Sequence, residues 1–358
     1  MKVLLVDPGA SYSTADVSAG LLVGLEAHGV SIVRYRLDQR IERSRRWLFG
    51  AWRAARKQQP GITRPTVADV FYQAGTGLLE RALRHEVDVV LVVSSMFLHP
   101  DVVILLRRAG VRVAVLFTES PYDMGDELRM AALVDACWTC ERSAVAAFAA
   151  VNPRAAYLPH AWHPARHQPG AQPGDAAFPA HDVVFVGSGF HERVTWLAGI
   201  DWTGIDLGLY GAWEMIGSRH RLRQFVRGGL VDNVDVAALY RRARIGLNLY
   251  RTSQGCGRQA PAIAHAESMN PRAYELARCG AFHLSTGRAE VTEVFGADVP
   301  IVTTPSETSA VIRSWLADEA GRAAVEARLP AAVAESSWVA RAACVIGDLE
   351  RWQVARAA

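Results

Sequence analysis

Residues 87–94 (VDVVLVVS) and 111–118 (VRVAVLFT) are near-continuous runs of β-branched and aliphatic side chains, and a short helical pattern, residues 100–109 closed by Gly110, lies between them. A strand with one wet face alternates apolar and polar residues. Uninterrupted apolar strands need cover on both faces, which a parallel sheet with crossover helices supplies. The flanking segments repeat the alternation. Residues 2–6 read as a short strand, residues 15–28 as a helix with Val17, Leu21, Leu22 and Leu25 on one side, and residues 31–37 as extended again. Residues 127–134, 136–139, 142–151 and 155–158 continue it as helix, strand, helix, strand. The economical reading is a doubly wound α/β layer.

A proline- and glycine-rich stretch, residues 167–180 (HQPGAQPGDAAFPA), interrupts this series, and a second begins directly after it. Strands are expected at 182–186, 206–210, 245–249, 281–284 and 300–302, and helices at 192–197, 235–243 and 272–277. The chain from Ser306 onward is helical and rich in Ala, Glu and Arg. The expected organisation is therefore a Rossmann-like domain over 1–166, a linker over 167–180 and a second Rossmann-like domain over 181–335. Residues 336–358 would form a C-terminal helix returning to the first domain. Two such domains would face each other across a cleft at the carboxyl ends of their strands.

The longest strongly apolar stretch, residues 87–98, contains Asp88, Ser94 and Ser95 and falls short of the ~20 residues that span a bilayer. The chain starts without an apolar signal segment, so a cytoplasmic location without stable membrane insertion is expected. Cys137 and Cys140 form a Cys-x-x-Cys, but Trp138-Thr139 between them read as strand, and no second pair stands at zinc spacing. Buried thiols are the expected state; the metal expectation is none.

The chemistry concentrates at residues 267–280. Glu267 and Glu275 are separated by seven residues, Asn270 is placed to cap a helix that opens at Pro271, and Gly280 closes it before an apolar strand. Such a helix start offers free N–H groups to a phosphate. Glu275, one turn in, would accept from a ribose hydroxyl pair or simply lie on the helix surface. Gly187-Ser188-Gly189, directly after a strand, is an ordinary strand-to-helix turn or a place where backbone approaches a diphosphate.

The Glu-x7-Glu spacing before a Gly-closed helix and an apolar strand resembles the donor-site signature of retaining glycosyltransferases of the GT-B fold. The string NPRAYELARCGAFHLS (270–285) with Arg288-Ala-Glu290 is similar to the CgeB-type glycosyltransferases, a family of spore-coat maturation proteins and phage relatives. Residues 182–193 (DVVFVGSGFHER), 117–123 (FTESPYD) and 157–164 (YLPHAWHP) agree with it, so the resemblance runs in order from about 110 to 300. It implies a UDP-sugar or related nucleoside-diphosphate sugar as co-substrate, with no metal and no further cofactor. It also implies that Glu275 holds the nucleotide ribose, that Glu267 and Asn270 approach the donor sugar or diphosphate, and that Arg272 neutralises phosphate. Gly187, Ser188, Gly189 and Arg193 would complete the donor site. His163 stands where the family pattern Leu-Pro-x-x-x-Asp-Pro has aspartate.

On the acceptor side, Glu119 ends an apolar strand and can orient or deprotonate a hydroxyl, or cap a helix; His160 is the alternative base. Tyr122 lies beside Glu119 in sequence. Residues 40–57 carry seven basic side chains and one acidic, whereas the whole chain has a net charge of only +3, so one basic element stands against an acidic remainder. Ile41, Leu48, Trp52 and Ala55 recur at helical spacing there. The segment is an amphipathic helix with a solvated basic face, a polyanion site in which Arg43, Arg45 and Arg46 meet phosphates and Trp47 and Trp52 stack on bases, or a membrane-surface helix. Since the resembled family includes phage enzymes that glycosylate hydroxylated DNA bases, DNA enters as a candidate acceptor beside small molecules, proteins and glycans. A GT-B nucleotide-sugar epimerase and a non-catalytic nucleotide-sugar or DNA-binding protein are the rival readings.

Overall fold

Eleven strands form two parallel sheets in a computed structural model that describes residues 1–9, 13–229, 231–252 and 265–357, with backbone alone at Ser13 and 353–357. The chain divides into Met1–Pro159 with Arg341–Ala358, and His160–Ala340. Each unit is a Rossmann-like α/β layer built on its own sheet.

The first unit contains β1 (Lys2–Asp7), α1 (Ser13–Ala27), β2 (Ser31–Arg36), α2 (Leu37–Gln58), α3 (Val67–Gly75), α4 (Gly77–Arg84) and β3 (Val89–Val93). It continues with α5 (Pro100–Arg108), β4 (Val113–Phe117), α6 (Met124–Ala131), β5 (Ala136–Thr139), α7 (Val145–Val151) and β6 (Ala155–Tyr157). The sheet order β2-β1-β3-β4-β5-β6 reverses direction of growth between β1 and β3. Every residue of β3 and β4 is buried, as the unbroken apolar runs require. Local chemistry sets the helix starts. Thr66 and Asp69 form a reciprocal capping box before α3, and His99 caps α5 with Pro100 in its first turn.

The second unit contains β7 (Val183–Val186), α8 (His191–Gly199), β8 (Leu207–Tyr210), β9 (Val226–Gly228), α9 (Asn233–Arg242), β10 (Ile245–Asn248), α10 (Pro271–Arg278) and β11 (His283–Ser285). Helices α11 (Ala289–Phe295), α12 (Pro305–Ala317), α13 (Glu319–Glu326) and α14 (Leu329–Ala332) follow. The order β11-β10-β7-β8-β9 places the switch in winding between β7 and β10. In open α/β sheets that is where loops part and a ligand crevice opens at the strand carboxyl ends. The core runs from Phe185 and Leu247 through Tyr274 and Phe282 to Ile312 and Leu329.

Helix α15 (Trp338–Ala357) starts in the second unit and ends in the first. There the Trp138 indole N–H donates to Asp348 at 2.7 Å, and Trp138 and Trp352 lie ring to ring at 5.1 Å. Among the described residues no helix is long and apolar enough to cross a membrane.

Three local expectations change. The proline-rich segment 167–180 lies inside the second unit, where Asp175 and Arg241 of α9 form a nearly buried two-pronged ion pair at 2.7 and 2.8 Å. His160, expected within a first domain running to residue 166, stands beyond β6 as the first residue of the second unit. Residues 300–302 contribute a single bridge, Ile301 to Ser285, in place of a strand. Cys137, Cys140 and Cys279 are buried and Cys344 is exposed, none of them in a disulfide among the described residues; Cys256 lies outside the described residues. Burial pushes the Cys137 thiol up to about 12 and Cys279 likewise to about 12, which removes them from redox chemistry at neutral pH.

Candidate functional site

The switch between β7 and β10 gathers most of the donor-type residues. β7 ends in Gly187-Ser188-Gly189, and α10 begins one strand away under an Asn270 cap whose side chain accepts from the Ala273 N–H at 3.2 Å. The turn and the helix start touch. A Cβ on Gly187 would lie 2.4 Å from Nη2 of Arg272, and one on Gly189 would lie 2.6 Å from the Trp213 ring. Glycine at both positions lets a guanidinium and an indole ring lie directly against the turn.

Asn248, fully buried at the end of β10, ties the two loops together. Its Oδ1 accepts from Asn270 Nδ2 at 2.9 Å and faces Arg272 Nη1 at 3.5 Å. The Arg272 guanidinium also lies over the Phe185 ring at 4.8 Å. The Tyr240 hydroxyl, pushed up by burial, sits beside both Arg272 and Glu275. Arg272 Nε is buried without a hydrogen-bond partner among the described residues. Glu275 is half-buried one turn into α10 on the same side as Arg272.

Glu290 pins the loop that carries Glu267. Its carboxylate accepts from the Met269 N–H and, at 3.2 Å, from the Tyr274 hydroxyl, while its own N–H donates to the Glu267 carbonyl at 3.0 Å. Hydrogen bonds to a buried carboxylate stabilise by about 1.5–3 kcal/mol each. The loop from Glu267 to Asn270 is therefore held from β10 and from α11 at once.

Arg193 is buried on α8 and bonds the Leu249 carbonyl at 2.9 Å and the Ser188 carbonyl at 3.2 Å, stacking on Phe185 and Phe190. It fixes the shape of the glycine turn. Two further cations stand at this edge, Arg288, which the quoted motif contains, and Arg251, which it does not. Arg251 lies over Phe190 at 5.3 Å, and Arg288 over Tyr250 at 4.6 Å while donating to the Arg251 carbonyl. Each follows the end of a strand by three residues, as Arg251 follows Asn248 and Arg288 follows Ser285, which is the signal that locates them. Among the described residues no cluster of three or more His, Cys, Asp or Glu has metal-site geometry.

In the first unit, Glu119 and Tyr122 share the loop after β4, with the Tyr122 N–H donating to the Glu119 carbonyl at 2.7 Å. His160 is buried. His163 Nδ1 accepts from the Ala165 N–H at 3.2 Å, the bond an aspartate makes in an Asx turn. Burial holds it down to about 4, so the ring is neutral and has that lone pair free.

The basic segment is the helix α2. Leu37 and Ser44 are its buried side chains, so Arg43, Arg46, Arg53 and Lys57, at spacings of three, seven and four, form an exposed cationic stripe on the opposite side. Arg45 and Arg46 each pair with Glu42, at 3.4 and 3.2 Å, and Trp47 is 60 % exposed. Trp52 donates its indole N–H to the Ile62 carbonyl and is flanked by Arg56 and Arg64, so it packs against its own neighbourhood. The structure groups these residues with one another and places Tyr122 apart from them, beside Glu119.

The two Rossmann-like sheets, each with its strand ends converging on loops, define the class of fold: GT-B. HepE of Anabaena, solved with UDP-glucose, superposes with a TM-score of 0.65 at 14 % identity over 98 % of this chain and 100 % of that one. Sucrose-phosphate synthase of Thermosynechococcus elongatus gives 0.65 at 14 % identity over 100 % of both chains. A putative UDP-N-acetylglucosamine 2-epimerase of Listeria monocytogenes gives 0.59 at 12 % identity over 98 % and 95 %. Within the fold, residues 192–346, most of them in the second unit, match the family model described as glycosyl transferase-like. Comparison with curated proteins finds no match.

Proposed function

We propose that this protein is a GT-B glycosyltransferase of the CgeB type that moves a sugar from a UDP-sugar to a hydroxyl acceptor, with donor bound by the second unit and acceptor by the first. The observation that carries this reading is the meeting of Gly187, Arg272 and the capped start of α10 at the switch point. Bare backbone, a guanidinium whose Nε–H has no partner among the described residues and a helix N-terminus all favour a diphosphate there. HepE and an Escherichia coli trehalose-6-phosphate enzyme of the same fold, solved with UDP-glucose and UDP-2-fluoro glucose, lend support to UDP as the nucleotide.

In the proposed reaction Glu275 accepts from the ribose hydroxyls, and Arg272 with the α10 N-terminus takes up charge as the bond between sugar C1 and the phosphate oxygen breaks. The acceptor oxygen bonds to C1 and its proton passes to a carboxylate or imidazole, Glu119 or His160. Glu267 and Asn270 approach the donor sugar. Because arginine and helix dipole supply the positive charge, the reading needs no metal; retention at C1, which the Glu-x7-Glu spacing favours, requires the acceptor oxygen to enter on the face from which the phosphate leaves.

For the acceptor, the outward stripe of α2 favours a polyanion, and hydroxylated DNA is the form the family resemblance suggests. The epimerase reading is carried by the Listeria neighbour and predicts conversion of UDP-sugar without any acceptor. Calorimetry with UDP, GDP and dTDP, followed by product analysis of UDP-glucose with and without a hydroxymethylated oligonucleotide, tests the proposal. UDP binding with glucosylated oligonucleotide is the expected result; an epimerised nucleotide sugar replaces it with the rival.

A further inference from the structure

The loop that carries Glu119 is fastened by a buried carboxyl group with no other hydrogen-bonding duty among the described residues. Glu127, in the first turn of α6, is 4 % exposed. Its Oε1 accepts from the Glu119 N–H at 2.9 Å, and its Oε2 shares a hydrogen bond with the Ser120 hydroxyl. On the other side of the same residue, the Glu119 carbonyl accepts from the N–H groups of Tyr122 at 2.7 Å and Asp123 at 3.1 Å. Both peptide groups that determine where the Glu119 side chain leaves the backbone are therefore fixed.

A buried carboxyl is costly unless its hydrogen bonds are made, and an apolar residue would fill the space between α6 and the sheet without that cost. The groups facing it are Glu119 and Asp123 from the loop and the Cys137 thiol from β5. Glu119 and Asp123 disfavour a negative charge at Glu127, and the thiol is neutral. Burial pushes its pKa up to about 8, so at neutral pH it is a carboxylic acid that binds the loop without adding charge beside Glu119.

We propose that Glu127 is a positioning residue: through the Glu119 amide and the Ser120 hydroxyl it sets the backbone from which Glu119 addresses the acceptor oxygen. The inference rests on Glu119 being the acceptor-side carboxylate. Glutamine reproduces the neutral acid, with an amide oxygen for the Glu119 N–H and an NH₂ for Ser120. Leucine has the size but neither bond.

The test compares the wild-type chain with Glu127→Gln, Glu127→Leu and Glu119→Gln in two measurements. One is hydrogen exchange of the amides of residues 118–124; the other is UDP release from UDP-glucose with water as acceptor. Glu127→Gln should keep both at wild-type values. Glu127→Leu should lose protection at the Glu119 amide and lower kcat about ten- to hundredfold, with KM for UDP-glucose unchanged, as a displaced catalytic group does. Unchanged protection in Glu127→Leu, or lost protection with unchanged kcat, overturns the proposal. If Glu119→Gln keeps wild-type kcat, the assignment of Glu119 falls by itself, and the exchange data alone still decide whether Glu127 holds the loop. Should Glu127→Leu fail to fold, Ser120→Ala decides: a several-fold fall in kcat supports the positioning, and a wild-type kcat overturns it.

Discussion

Gly187 and Arg272 are separated by the volume of one methyl group. A Cβ at residue 187 would stand 2.4 Å from Nη2 of Arg272, closer than any real contact, and the residue holds φ at +155°. Gly187→Ala should displace the guanidinium while leaving the core of the second unit, which begins at Phe185, in place. UDP affinity should weaken roughly tenfold or more, a loss of about 1.4 kcal/mol. Calorimetry on the folded variant checks this, and wild-type affinity would remove Arg272 from the diphosphate site.

Glu275→Ala removes the carboxylate assigned to the ribose. Two hydrogen bonds to a charged group are at stake, so UDP binding should fall by roughly one to two orders of magnitude while the melting temperature without ligand changes little. Ligand-induced stabilisation by UDP, which follows mass action, should shrink accordingly. A full UDP-dependent shift in the variant would contradict the donor-site assignment.

Neutralising the stripe on α2 tests the polyanion reading. Arg43, Arg46 and Arg53 replaced together by glutamine should weaken binding of a DNA oligonucleotide and lower the slope of log K against log salt by about one for each phosphate no longer neutralised. These side chains are exposed, so stability should be unaffected. Equal slopes for the triple variant and wild type would assign the stripe to solvent.

Glu127 makes stability fall with pH. Its folded pKa of about 8 lies above the ordinary carboxylate value, so the folded state keeps a proton that the unfolded chain releases. Its contribution is complete below about 4.5 and is lost progressively up to about 8, at a limiting slope of about 1.4 kcal/mol per pH unit. Glu127→Gln lacks this slope. The difference in Tm between Glu127→Gln and wild type should widen in favour of the variant across that window and level off above it; parallel curves would show that Glu127 is ionised throughout.

Much of this fold is legible in the sequence because parallel strands buried on both faces leave an unmistakable pattern. Residues 89–93 and 113–117 carry it without a polar interruption. Likewise Asn270-Pro271 announces α10 by cap chemistry alone. What stays hidden depends on contacts across distance. Nothing local marks Glu290 as the clamp on Met269, or Glu127 as the partner of Glu119. The proline-rich segment reads as a linker because its composition prevents regular structure; that same composition says nothing about Arg241, which holds Asp175 and keeps the segment within the second unit. Helices α3 and α4 escape a periodicity reading because each is short, nine and eight residues.

The passage of α15 from one unit to the other sets an order of assembly during synthesis. Residues 341 onward belong with the first unit, and Asp348 supplies the acceptor for the Trp138 indole N–H. At about 5–20 residues per second, these positions leave the ribosome roughly ten to forty seconds after Pro159. The unit that emerges second can therefore finish first, and the sheet begun at Lys2 must wait, with β5 incompletely covered, until the last turns of the chain arrive.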